Sequence, residues 1–128
     1  MKKTVYVGLG NVSCDNLALN GIFGFIECFS ADYYCTMCTT TNTEAQEGVC
    51  KLDFTLRFAD IYNADVEALT TLAPGTNSHG VKAPCCLKNI EGLHVTQNFL
   101  VDSMHTLLEG VVPYELGCIL YCLVNEKH

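Results

Sequence analysis

Only one segment of this chain, TVYVGLGNV at residues 4–12, has the β-branched and aromatic make-up of a buried strand. A lone strand leaves N–H and C=O groups unpaired along both edges, so it cannot form a sheet. The other apolar patterns are helical or irregular. We therefore expect an α/β fragment, mostly helical, whose one or few strands belong to a larger core with a helical insertion. The far end gives the same impression: ELGCILYCLVNEKH presents Leu116, Ile119, Leu120 and Leu123 to a surface absent from the sequence. The 128 residues read as a single partial domain with both ends cut.

Three parts are expected within it. Residues 1–38 hold the strand, a helix and a CxxC loop; 39–98 a helical insertion and an irregular segment; 99–128 the C-terminal helices. DNLALNGIFGFIECF reads as a helix begun by Asp15, with Leu19, Ile22, Phe23 and Ile26 on its buried face. SADYYCTMCTTTNTEAQEG reads as a loop with CTMC at its centre. The next helical pattern places Phe54, Phe58, Ile61, Tyr62, Leu69 and Leu72 on one side and stops at Pro74-Gly75. Residues 76–98 carry turn signals at Gly80, Pro84 and Gly92. A helix then runs from about Phe99, with Pro113 at a kink or at the first turn of another helix.

Charge excludes one class of function. The net charge is −7, and the seven basic residues are dispersed. A nucleic-acid platform needs clustered Lys and Arg to displace counterions from phosphates. Any DNA partner would have to be held by other parts of a larger protein. MKKTVYVGLG imitates a signal peptide, but its glycines interrupt the apolar run early and no small-residue cleavage site follows. No apolar run in the sequence reaches the roughly 18–20 residues that span a bilayer. We expect a nuclear or cytoplasmic chain, neither secreted nor membrane-bound.

Two sets of residues are candidates for chemistry. Cys35 and Cys38 have the spacing at which two thiolates converge on one tetrahedral ion at about 2.3 Å. No second CxxC or HxxxH supplies the remaining ligands locally, so a redox pair or unrelated thiols stay open. The threonine-rich run after CTMC is a poor helix start, which weakens the redox reading. In VDSMHTLLEG, Asp102, His105 and Glu109 fall within an arc of about 60° at helical spacing. They are either a site or the ordinary wet face of an amphipathic helix. Asp15 is likewise either a cap or a metal-binding carboxylate at a sheet edge.

Taken in order, CDNLALNGIFGF, SADYYCTMC and GLHVTQNFLVDSMHTLLEGVVPYEL resemble the later catalytic region of DDE transposases with a ribonuclease H-like core, CACTA-like ones in particular. The resemblance covers most of the chain but little of residues 39–83. It implies Asp15 as the second catalytic acid and Glu109 as the third, with Glu115 and Glu126 as alternatives. It also implies a structural zinc on Cys35, Cys38 and His105, completed by Asp102 or else His94. In the intact parent, two Mg²⁺ ions would serve phosphoryl transfer. The first acid of such a set is missing here, so the chain alone is expected to be inactive. The alternative is a non-enzymatic, zinc-stabilised interaction module domesticated from a transposon.

Overall fold

The computed structural model describes residues 3–5, 8–48 and 54–125. Their regular structure is helical: α1 (Asn16–Phe23), α2 (Asn42–Glu47), α3 (Ala59–Ala68), a π-helical segment (Met104–Val111) and α4 (Val112–Asn125). The expectation of a mostly helical chain holds at that level. Tyr6 and Val7, central to the expected strand, lie outside the described residues. Of the rest of TVYVGLGNV, only Val12 pairs, in a single parallel bridge to Phe99. No strand forms among the described residues; Phe25–Val81, Cys38–Leu56 and Ser78–Val81 are isolated antiparallel bridges.

α1 starts where Asp15 accepts a hydrogen bond from Ala18 N at 2.8 Å, satisfying one of the helix's orphan donors. It ends a turn earlier than its apolar spacing suggests, because Gly24 adopts φ 78° and caps it. A side chain there is doubly excluded: a Cβ would lie 2.0 Å from the Ala83 carbonyl oxygen. Ile26 therefore lies beyond the helix. Leu19 and Phe23 still reach the core, and Ile22 is partly buried against it.

α2 is a helix where the sequence suggested a loop. Thr41 and Glu44 form a reciprocal capping box, which starts a helix despite weak propensities. α3 is shorter than its apolar pattern. Phe58 is its exposed N-cap, so Phe54 and Phe58 precede it. Thr70 and Thr71 turn their hydroxyls back onto the Glu67 and Ala68 carbonyls, at 2.8 and 2.9 Å, and close the helix before Leu72.

The core joins Leu19, Phe23, Phe25, Tyr62, Val81, Cys85 and Val95. Four of these seven, Phe25, Val81, Cys85 and Val95, lie outside the helices. The irregular segment 76–98 is pinned by Tyr62, whose hydroxyl donates to the Phe23 carbonyl at 3.2 Å and accepts from Cys85 N at 3.1 Å. Gly80 allows it to pass Tyr33: φ is 85°, and a Cβ would meet the Tyr33 carbonyl oxygen at 2.1 Å.

Helix runs without a break through Pro113. Having no N–H, Pro113 cannot donate to the Glu109 carbonyl, and the preceding turn opens into π geometry, with Val112 N donating to the Leu107 carbonyl. Met104–Asn125 thereby forms a continuous helical run of 22 residues whose most apolar 18-residue stretch has mean hydropathy 1.6, long and apolar enough by composition to cross a bilayer. The expectation of no run of that length is corrected on this point. The sequence reading had let Pro113 and the polar residues divide it.

Candidate functional site

A cleft of about 250 Å³ separates α1, the CTMC turn and the start of the C-terminal helical run. Asn16, Leu19, Tyr34, Cys35, Phe99 and Thr106 are among the residues lining it. Asn16 Nδ2 donates to Thr106 Oγ1 across it at 3.3 Å. Parts read as separate in the sequence thus share one cavity.

One rim is acidic. Asp102 precedes the helical run and starts it: its carbonyl accepts from Thr106 N, and its Oδ1 accepts from Met104 N at 3.0 Å. Its other oxygen, Oδ2, pairs with His105 Nδ1. Asp102 therefore does cap-like work and is not a helix-interior residue. The hydrogen bond from His105 holds the Asp102 carboxyl below its ordinary value, and the same bond raises the His105 imidazole. The charges of Glu109 and Asp15 also raise His105. Asp15, from the start of α1, and Glu109, from the π-helical turn, thus act on one imidazole. Beside them, burial raises the Cys14 thiol, with further upward pushes from Asp15 and Asp102.

The CTMC turn contributes Cys35 to the lining of the cleft. Met37 N donates to Cys35 Sγ at 3.3 Å. Burial pushes the Cys35 thiol up, and the neighbouring Cys38 pushes the same way. Two thiols two residues apart can supply two of the four ligands of a tetrahedral ion. They are not joined by a third: among the described residues, no three His, Cys, Asp or Glu side chains come together as a metal site. Thus Cys35 and Cys38 fit half of a zinc site, while His105 and Asp102 are engaged with one another.

The alternatives fall elsewhere. His94 does not line the Cys35 cleft. Its Nδ1 bonds Thr96 Oγ1 at 2.8 Å, its Nε2 lies 3.5 Å from Asn63 Oδ1, and its ring meets Tyr62 edge-on. Glu115 is exposed on the first turn of α4. Glu126 lies outside the described residues.

Sequence reasoning missed what holds the CTMC turn in place. Arg57 is 4% exposed and sits beneath it. Its Nη1 pairs with Asp65 Oδ2 at 2.8 Å, and its Nη2 reaches the carbonyls of His79 at 2.6 Å, Cys38 at 3.1 Å and Cys35 at 3.5 Å. Its guanidinium also lies 5.1 Å from the centre of the Phe25 ring. Burial lowers the Arg57 pKa, and Asp65 opposes that shift. Asp65 spends its second oxygen on Ser78 Oγ at 2.8 Å and His79 Nδ1 at 2.7 Å. A signal did exist: Arg57 stands inside the apolar run LRF, and Asp65 follows Tyr62 by one helical turn. A buried charge in each place demands the other.

Comparison with protein-family models, with curated proteins and with solved structures finds no match.

Proposed function

We propose that the chain is part of the catalytic region of a DDE-type DNA transposase and is inactive alone. The observation that carries this reading is the hydrogen bond from Asn16 Nδ2 to Thr106 Oγ1, which sets the start of α1, where Asp15 stands, against the helical run that carries Glu109. The order of the DNL, CxxC and DxMHxxxEG motifs supports it. Asp15 serves as the second acid: capping α1 uses Oδ1 and leaves Oδ2 for a cation. Glu109 serves as the third. Two Mg²⁺ ions bound by the completed carboxylate set would activate a water or 3′-hydroxyl and stabilise the leaving oxygen. The first acid, the remaining ribonuclease H-like strands and the DNA-holding surface belong to other parts of the parent, which acts in the nucleus or cytoplasm. Cys35 and Cys38 hold a structural zinc, with His105 and Asp102 as the ligands the resemblance supplies.

Elemental analysis of the purified chain should find one zinc, lost in Cys35→Ser; zinc-free protein would remove that part. For the acids, Glu109→Gln at the matching position of an active intact relative should abolish strand transfer with folding and zinc content unchanged. Retained transfer would move the third acid to Glu115 or Glu126.

A second reading is favoured by a different observation. Every described residue of α4 is exposed, including six aliphatic side chains. That suits a zinc-stabilised interaction module, domesticated from a transposon and without catalysis.

A further inference from the structure

Along α4, Val112, Leu116, Ile119 and Leu123 follow one another at steps of four, three and four residues. These are the d and a positions of two heptads, the pattern that puts one narrow seam against a partner helix. The four are 42%, 51%, 54% and 55% exposed, and Leu120 and Val124 widen the stripe at 56% and 64%. Tyr114, Cys118 and Tyr121 occupy the other side. We infer that this face pairs with the same face of a second copy of the chain.

The stripe suits a copy of itself. A two-fold contact sets the same residues against each other, and a seam of aliphatic side chains without charge meets its own image without repulsion. Glu115 flanks the seam at a g position, where coiled coils place charge. The six half-exposed aliphatic side chains leave on the order of 500 Å² per copy, so a pair buries about 1,000 Å², the lower bound for a specific interface. Two heptads limit the affinity to about the micromolar range. A bilayer is the competing occupant. Spanning it with Met104–Asn125 would carry Glu109 and Glu115 toward hydrocarbon, a cost that pairing through α4 avoids. This inference does not rest on the transposase reading.

Sedimentation equilibrium of the full chain at about 100 μM should show a species of twice the 14.0 kDa chain mass. Leu116→Glu should weaken dimerisation at least about tenfold, giving monomer at the same concentration with the far-UV circular dichroism of the body retained. Tyr121→Ser, on the opposite side, should leave the dimer intact. Monomeric wild-type chain, or a Leu116→Glu variant that dimerises as well as wild type, would overturn the inference. Flotation with phosphatidylcholine vesicles in place of dimerisation would overturn it too.

Discussion

Leu19 and Leu120 are the same residue type on two helices of one chain, yet one is 4% exposed and the other 56%. The body around Leu19 buries a compact apolar cluster and also an arginine and an aspartate, each committed to several partners. α4 buries nothing and carries only aliphatic, tyrosine and cysteine side chains along most of its length. Burial of charge in the body is specific: Arg57 ties the CTMC turn and the His79 turn to α3. Exposure on α4 is unspecific in itself and gains meaning only from its heptad register. The two candidate acids come from different regions, Asp15 from the start of α1 and Glu109 from the helical run that leads into α4.

The contrast makes a steep prediction for the body. Asp65→Ala strands a guanidinium whose side chain is wholly buried, so stability should fall by about 3–5 kcal/mol. Denaturant unfolding will measure it; a loss below about 1 kcal/mol would mean that Arg57 reaches water and that the network is not the anchor of the CTMC turn. Leu19→Ala should cost about 2–5 kcal/mol, whereas Leu120→Ala should change stability by less than about 0.5 kcal/mol. That pair is best compared at about 1 μM, below the proposed dimerisation range. Equal effects would erase the distinction between the regions.

How much of this was legible depended on whether a local rule decided the outcome. Asp15 as a cap, the Leu19 and Phe23 face, and a helix through the 101–116 segment followed from spacing and capping chemistry. α2 was also legible, since Thr41 and Glu44 have the capping-box spacing, but weak propensities drew attention away from it. The early end of α3 was not, because it depends on two threonine hydroxyls turning inward. Nor was the Arg57–Asp65–His79 network, which joins three segments through tertiary contacts. At the candidate site, Asp15 and Glu109 were expected as two acids of one catalytic set. A zinc site joining Cys35 and Cys38 to Asp102 and His105 was expected too, and among the described residues no three such side chains come together.

Smaller effects sharpen the picture at single caps and charges. Thr41→Ala should cost about 1 kcal/mol by removing one half of the capping box, and should fray α2 alone. Hydrogen exchange of residues 42–47 checks this; unaltered protection would show that tertiary contacts, not the cap, hold α2. His105 offers a pH readout. Its pKa is raised from 6.5, so its contribution is complete below that value and is lost as pH rises through the folded-state pKa. Asp102 is lowered from 3.8, so its contribution is present above that value and is lost as pH falls through the folded-state pKa. The pair therefore operates between the two folded-state values. Asp102→Asn should bring the His105 pKa down in an NMR titration, and Asp15→Asn should lower it by less. No movement in Asp102→Asn would show that the pair does not form in solution.

Asp15 and Glu109, proposed as two acids of one set, should bind the same divalent cation. Mn²⁺ takes oxygen ligands as Mg²⁺ does, and its unpaired electrons broaden nearby NMR signals. Substoichiometric Mn²⁺ added to isotopically labelled chain should broaden the amide signals around residues 15 and 109 together. Asp15→Asn should relieve both. Broadening spread evenly over Asp60, Glu67 and Glu91, with no preference for residues 15 and 109, would contradict the account.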